Sequence, residues 1–276
     1  MKLIDGKALA ANIRNKLKEE IATAKKKPGL AVVIVGTDAA SQIYVRNKIK
    51  ACNEVGIRSF CYELPVDIAQ NELESLLEKL AVDSEVDGIL LQLPLPKSLN
   101  AESAMSKIPP EKDVDGFSKE NLGKLVLNEA NFAACTPSGV MKLLENEGVS
   151  LKGKHAVVLG RSDTVGKPMA LLLLNADATI TICHSKTENL SDICKLADIL
   201  IVAVGKANFV TKNMVKQGAI VIDIGINRDE NGKLCGDVDF ESVKDVVSMI
   251  TPVPGGVGPM TIATLLCNTC LAAWGE

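Results

Sequence analysis

Ser41, Tyr44 and Lys48 stand at i, i+3 and i+7 of the helical pattern Ala39-Ala40-Ser41-Gln42-Ile43-Tyr44-Val45-Arg46-Asn47-Lys48. That spacing puts a hydroxyl, a phenol and an amine on one helix face. On a solvated face this is an ordinary amphipathic pattern with an exposed lysine. On a face lining a cleft, a desolvated lysine has its pKa lowered toward neutrality and becomes an acid–base group. Gln92 lies in the apolar run Leu90-Leu91-Gln92-Leu93-Pro94-Leu95-Pro96, where an amide needs a hydrogen-bond partner. At the C-terminal end of a parallel strand it would face the crevice where α/β proteins bind ligands. Asp115 follows in Asp113-Val114-Asp115-Gly116-Phe117. Beside Gly116 it reads either as an Asx-turn or as a carboxylate accepting two parallel N–H donors from a guanidine-like ring edge.

A second constellation is built for phosphate. The apolar run His155-Ala156-Val157-Val158-Leu159 enters Gly160-Arg161-Ser162-Asp163-Thr164-Val165-Gly166 and then the helical pattern Met169-Ala170-Leu171-Leu172. Strand, glycine-bearing turn and helix aim backbone N–H groups and a helix N-terminus at an anion. Ser162 stands where a dinucleotide fingerprint has its middle glycine, so the usual close backbone approach to a pyrophosphate is not guaranteed; a purely structural turn is the alternative. The next strand ends in Cys183-His184-Ser185-Lys186-Thr187, with no carboxylate for a free ribose 2′-OH. Arg161, Ser185 and Lys186 could instead hold a 2′-phosphate, which points to NADP rather than NAD. His184 reads as a structural hydrogen-bonding residue.

The elements that must position these groups alternate along the chain. Strands are expected at 30–36, 57–64, 88–93, 155–160, 179–183, 199–205, 219–225 and 247–251. Helices are expected at 6–26, 39–55, 69–82, 137–147, 166–175 and 190–196. Runs such as AVVIVG and ILIVAVG are continuously apolar, as in parallel strands covered on both faces. The fold class is therefore α/β. Residues 94–136 are proline-bearing with few periodic stretches, and Thr136 reads as an N-cap with Pro137 in the first turn. The boundary falls near 138: residues 1–138 form one domain, 139–259 a second, and a last helix, 260–276, returns to pack on the first.

Composition limits the function. The 276 residues are 47% hydrophobic and 24% charged, an ordinary globular balance. A net charge of −3 gives no global basic excess for nucleic acid. No apolar run is expected to be long enough for a membrane span. The eight cysteines are dispersed, which suggests free thiols in a reducing, cytoplasmic setting. Cys267-Asn-Thr-Cys270 lies in an apolar helical pattern and reads as core; no metal site is expected.

The motifs Tyr44-x-x-x-Lys48, Leu91-Gln92-Leu93-Pro94-Leu95-Pro96, Asp113-Val114-Asp115-Gly116, Gly160-Arg161-Ser162-x-x-Val165-Gly166-x-Pro168 and Thr251-Pro252-Val253-Pro254-Gly255-Gly256-Val257-Gly258-Pro259-Met260-Thr261 span the chain in order. With them the sequence resembles the bifunctional methylenetetrahydrofolate dehydrogenase/methenyltetrahydrofolate cyclohydrolase family, departing only from the generic nucleotide fingerprint. The resemblance implies an N-terminal catalytic domain, a C-terminal Rossmann-like NADP-binding domain, a folate in the cleft between them, and a homodimer joined through the cofactor domains. It implies that Lys48 is the catalytic lysine, that Tyr44 lies along the pterin, that Gln92 contacts Lys48 and that Asp115 holds the pterin ring. Ser41, Pro254, Gly255 and Gly256 join them around the substrate, and Gly160, Arg161, Ser162, Gly166, Ser185 and Ile226 form the cofactor set. Leu93–Pro94 and Val253–Pro254 are positions suited to cis peptides.

The chemistry of such a substrate assigns the work. A methylene between two nitrogens loses hydride to give a delocalised cation, a step that needs positioning rather than a base. Hydrolysis of that cation moves protons and needs an acid–base group, for which Lys48 is the candidate. The rival readings are a dehydrogenase of the same family without hydrolysis, a binding protein that kept the fold, and a shikimate-type dehydrogenase.

Overall fold

The computed structural model describes residues 1–275, apart from the side chain at position 40. Along the chain the elements are β1 (Lys2–Leu3), α1 (Gly6–Thr23), β2 (Gly29–Val35), α2 (Ala39–Val55), β3 (Arg58–Leu64), α3 (Gln70–Val82), β4 (Gly88–Leu91), α4 (Ala101–Met105), α5 (Lys119–Val126) and α6 (Cys135–Asn146). They continue with β5 (His155–Leu159), α7 (Gly166–Asn175), β6 (Thr179–Cys183), α8 (Leu190–Cys194), β7 (Ile199–Val202), β8 (Ile220–Asp223), β9 (Asn227–Arg228), β10 (Leu234–Cys235), α9 (Phe240–Val243), β11 (Met249–Ile250) and α10 (Val257–Trp274). Two compact units result: residues 11–135 with 262–276, and residues 1–10 with 136–261.

The first unit is built on a parallel sheet ordered β3-β2-β4. Every residue of β2 is buried, and its alternating side chains feed two cores. Leu30, Val32 and Ile34 pack with Val45 and Cys52 of α2 and Leu265, Leu266 and Cys270 of α10. Ala31, Val33 and Val35 pack with Leu73, Leu77 and Leu80 of α3. Cover on both faces explains why this strand is apolar without alternation. α10 is long and apolar enough, by length and composition, to cross a membrane, contrary to the sequence expectation. Its Leu265 and Leu266 are instead part of this core.

The second unit carries a six-stranded sheet ordered β1-β11-β8-β7-β5-β6, with every ladder parallel. The chain runs from β5 to β6 on one side and then crosses to β7 on the other. The C-terminal ends of β5, β6 and β7 thus flank a topological switch point, where open α/β sheets bind ligands. β1 departs from the expected partition. The Lys2 N–H donates to the Ser248 carbonyl at 2.8 Å and the Ile4 N–H to the Ile250 carbonyl at 2.9 Å, so the N-terminus extends this sheet at β11. A two-residue strand has no period to read, which is why the first ten residues could not be assigned to it beforehand.

Other differences are local. α6 begins at Cys135, so Thr136 lies inside the first turn; its hydroxyl meets the Thr261 hydroxyl at 2.9 Å instead of capping. Residues 94–136 hold two short helices, capped by Asn100 on the Ser103 N–H and by Ser118 on the Asn121 N–H. The X–Pro bonds Leu93–Pro94 and Val253–Pro254 are both cis.

At the end of β8, the Asp223 carboxylate is 3% exposed. It accepts the N–H groups of Gly225, Asp237 and Val238, each at 2.9 Å. Burial outweighs these bonds and pushes its carboxyl up to about 6. A raised carboxyl stabilises the folded state below its unfolded pKa, near 4, and loses that contribution as pH rises through 6. The stability of the protein relative to Asp223→Asn should therefore fall by up to roughly 3 kcal/mol between pH 4 and pH 7. Urea unfolding of both proteins across that range measures it, and a constant difference excludes the raised pKa.

Candidate active site

In the three-stranded unit α2 is held at both ends. Asp38 caps it by accepting the Ser41 N–H at 2.8 Å, and Gly56 closes it in the left-handed conformation at φ 93°, donating to the Cys52 carbonyl. Its inward face carries Ser41 and Lys48, each 6% exposed, with Tyr44 half-buried between them. The solvated-lysine alternative is thereby removed. Lys48 Nζ donates to Gln92 Oε1 at 3.2 Å, and Gln92 Nε2 donates to the Leu93 carbonyl at 2.7 Å, which fixes the amide so that its oxygen faces the amine. The Gln92 N–H itself continues the β4 ladder onto Val33. An ammonium has three donors; Gln92 takes one of them.

Asp115 completes the group from a loop shaped by its neighbour. Asp113, 1% exposed, accepts the N–H groups of Gly116 and Phe117 at 3.1 Å, the Ser118 N–H at 2.7 Å and Asn121 Nδ2 at 2.9 Å. The Asx-type turn expected of Asp115 is thus made by Asp113, and Asp115 is left available. Gly116 adopts φ +74°, and a Cβ there would lie 2.6 Å from the Ala133 carbonyl carbon. Burial raises the Asp115 carboxyl pKa, the Lys48 charge opposes this, and the Asp113 charge adds to the rise. The Cys135 thiol, which adjoins the Asp115 side chain, donates to the Val114 carbonyl at 3.2 Å. Burial, reinforced by Asp115, keeps that thiol well above its ordinary range, so it acts as a neutral donor rather than a nucleophile. Asp113 carried no sequence signal beyond proximity to Asp115, and Cys135, twenty residues further on, carried none. Together Lys48, Gln92 and Asp115 offer an oriented amine and a carboxyl whose ionised form needs N–H donors.

The six-stranded unit forms the phosphate-type turn. Gly160 sits at φ +130°, where a Cβ would lie 2.3 Å from the Ala203 carbonyl oxygen, and a Cβ at Gly166 would lie 2.3 Å from the Gly160 oxygen. Turn, strand and helix therefore meet at backbone contact, as phosphate-binding turns require. Ser162 Oγ accepts the Val165 and Gly166 N–H groups at 3.2 and 3.3 Å, so the hydroxyl that replaces a glycine organises the helix start. A cavity of about 240 Å³ opens over the strand ends, lined by Gly160, Arg161, His184, Ser185, Ala203, Val204, Lys206 and Phe209 among others. Lys206 lines it and Lys186 does not, which the sequence reading missed. His184 Nδ1 accepts the Lys186 N–H at 3.1 Å and the His184 N–H donates to Thr187 Oγ1 at 2.9 Å, a structural role. Ile226 is exposed just beyond β8. Pro254, Gly255 and Gly256 form a tight turn beyond β11: Gly255 has φ +108°, and a Cβ at Gly256 would lie 2.6 Å from the Pro252 oxygen. The Gly255 carbonyl accepts the Lys7 N–H at 2.9 Å.

Two family models cover the chain: the tetrahydrofolate dehydrogenase/cyclohydrolase catalytic domain matches residues 4–115, and the NAD(P)-binding domain of the same family matches residues 134–275. The "Bifunctional protein FolD" of Campylobacter curvus is 55% identical over 276 residues, covering 99% of this chain and 96% of the relative. Among solved structures, the bifunctional enzyme FolD of Campylobacter jejuni, a methylenetetrahydrofolate dehydrogenase/cyclohydrolase, superposes with a TM-score of 0.97 at 52% identity over 99% of this chain and 98% of that one. The FolD of Trypanosoma brucei, solved with NADP cofactor and inhibitor, has a TM-score of 0.93 at 42% identity over 98% and 96%.

Gly116→Ala should destabilise the three-stranded unit by at least ~2 kcal/mol, because it combines a positive φ with a backbone collision. Gly123→Ala in α5, where a Cβ meets nothing within 4 Å, should stabilise by about 0.5–1 kcal/mol. Denaturant midpoints of the pair test the contrast, which fails if both change alike.

Proposed function

The chain belongs to the tetrahydrofolate dehydrogenase/cyclohydrolase family, and we propose that its Lys48–Gln92–Asp115 group carries the chemistry. It oxidises 5,10-methylenetetrahydrofolate to the 5,10-methenyl cation with NADP and hydrolyses the cation to 10-formyltetrahydrofolate. The main reading is favoured over the monofunctional alternative, since full-length relatives more than half identical to this chain are bifunctional.

The observation that carries the assignment is the buried amine of Lys48 bonded to Gln92, with Asp115 close enough to feel its charge. Asp115 accepts the adjacent N–H donors of the pterin edge in a bidentate manner. Those donors replace the stabilisation that burial withholds from the carboxylate. Tyr44 lies along the pterin and Ser41 adds a hydroxyl at the same helix face. Pro254, Gly255 and Gly256 stay in the proposed substrate set as the resemblance implies; their backbone forms a tight turn beyond β11.

Dehydrogenation breaks one C–H bond of the methylene bridge, and NADP, when bound, supplies the acceptor for that hydride. The protein's share of this step is orientation. For the cofactor, Gly160 and Gly166 leave the backbone clear for a pyrophosphate, Ser162 shapes the turn, and Arg161 and Ser185 receive the 2′-phosphate with Ile226 beside them. In hydrolysis, water oxygen bonds to the one-carbon centre as Lys48, in its unprotonated amine form, accepts a water proton and becomes the ammonium. The bond to N5 then breaks, the C=O forms, and a proton from Lys48 goes to N5 while the second water proton leaves to solvent. Gln92 keeps the amine aimed by holding one of its hydrogens.

The homodimer is proposed at the free edge of β6, where Ile182 is 42% exposed beside exposed Leu174 of α7. A reducing cytoplasmic setting suits the eight cysteines, none of which forms a disulfide among the described residues.

Lys48→Met should lower methenyl hydrolysis at least 100-fold while leaving measurable dehydrogenation. Asp115→Asn should weaken folate binding and damage both steps. A coupled absorbance assay on 5,10-methylenetetrahydrofolate, following reduced cofactor and the rise and decay of the methenyl band, reads both. Full hydrolysis by the lysine variant rejects the assignment. Ile182→Lys should sediment as a monomer; an unchanged mass moves the interface elsewhere.

A further inference from the structure

Asp237, two residues beyond the end of β10, is fully buried, and its carboxylate is occupied by one short stretch of backbone and one side-chain amide. Oδ2 accepts the Val204 N–H at 2.6 Å and the Gly205 N–H at 2.9 Å; Oδ1 accepts the Lys206 N–H and Asn227 Nδ2, both at 2.8 Å. Further along the same loop, the Asn208 N–H donates to the Gly236 carbonyl at 3.1 Å and the Val210 N–H to the Asp237 carbonyl at 2.9 Å. The segment that leaves β7 therefore hangs on Gly236 and Asp237 from end to end. Without them, residues 204–206 would present three successive N–H groups with no partner, a cost that a loop meets by rearranging.

This segment is a wall of the cavity that Gly160, Arg161 and Ser185 also line: Val204, Lys206 and Phe209 all face it. Lys206 Nζ stands 5.6 Å from the centroid of the Phe209 ring, within the range of a cation–π contact. Its long side chain is thus steadied at both ends, by a backbone N–H on Asp237 and by an ammonium over an aromatic face. The cavity consequently has two cations on different strand ends, Arg161 after β5 and Lys206 after β7, and no carboxylate at the end of β6.

We propose that Asp237 is a positioning residue for the cofactor: it fixes the 204–206 loop so that Lys206 joins Arg161 in binding the 2′-phosphate of NADP. The proposal rests on the cavity being the nucleotide's. The loop is held by charge-assisted bonds, and its lysine adds a second positive charge toward a doubly charged group. Preference for NADP over NAD is then divided between two loops rather than assigned to one strand end.

The test uses the two activities of the intact enzyme, because hydrolysis of added methenyl substrate consumes no nicotinamide. Asp237→Asn puts amide hydrogens among converging N–H donors and should raise the KM for NADP at least tenfold, with hydrolysis changed less than twofold. Lys206→Met should raise the KM for NADP five- to tenfold and the KM for NAD by less than twofold. An unchanged KM for NADP in either variant overturns the proposal, as does an equal loss of both activities in Asp237→Asn, which would mark a purely structural residue. Should Asp237→Asn not fold, Lys206→Met decides alone. Arg161→Met distinguishes the levels of failure. If it raises the KM for NADP while the other two do not, only this inference falls; if it also leaves that KM unchanged, the cavity is not the cofactor's.

Discussion

An ammonium taken out of water must find its partners inside the protein, and the burial of Lys48 sets that requirement for the three-stranded unit. The helix presenting it is capped at both ends and packed along β2, so the amine has little freedom to retreat to solvent. Gln92 meets the requirement with a neutral oxygen rather than a carboxylate. A direct ion pair would have tied up the charge; an amide leaves two hydrogens for substrate and water. Asp115 contributes its field without a direct bond. In the hydrolysis proposed above, the separation between a near acceptor and a nearby carboxyl would let the same amine move protons.

Loops around both sites are shaped by one recurring device. Asp113, Asp223 and Asp237 are nearly or fully buried, and each gathers three backbone N–H groups, Asp113 and Asp237 from one short segment and Asp223 from Gly225 and the distant pair 237–238. Segments at the C-terminal ends of parallel strands cannot continue the ladder, so their N–H groups need another acceptor. A carboxylate supplies several lone pairs at one point and converts an irregular segment into a fixed surface. Asp113 does this for the loop carrying Asp115. Asp237 does it for the wall carrying Lys206. Asp223 joins β8 to the segment holding Asp237, so the two carboxylates form a connected network.

The turn at Gly160 shows how a departure from a generic pattern is accommodated. The middle glycine of a dinucleotide fingerprint is absent, and Ser162 takes its position with its hydroxyl accepting the N–H groups that begin α7. Glycine remains where backbones touch, at 160 and 166, because those are the positions at which a Cβ would collide. The substitution alters the chemistry of the turn and leaves its geometry intact.

Much of this was legible in the residues themselves. Periodicity located α2 at 39–55 and the apolar runs marked the parallel strands, because burial on two faces leaves a continuous signature. The spacing of Ser41, Tyr44 and Lys48 predicted a common face, and Gln92 stood out as an amide in an apolar strand. Tertiary structure alone decided that this face turns inward, that Asp113 rather than Asp115 makes the turn, and that Lys206 rather than Lys186 lines the cavity. It also assigned the first ten residues to the six-stranded sheet through a two-residue strand. The physical reason is common to all four. Local sequence encodes which conformation a segment prefers and which side is apolar, whereas hydrogen bonds between Asp237 and Val204 or between Lys2 and Ser248 join residues distant along the chain, and only the folded arrangement brings them together.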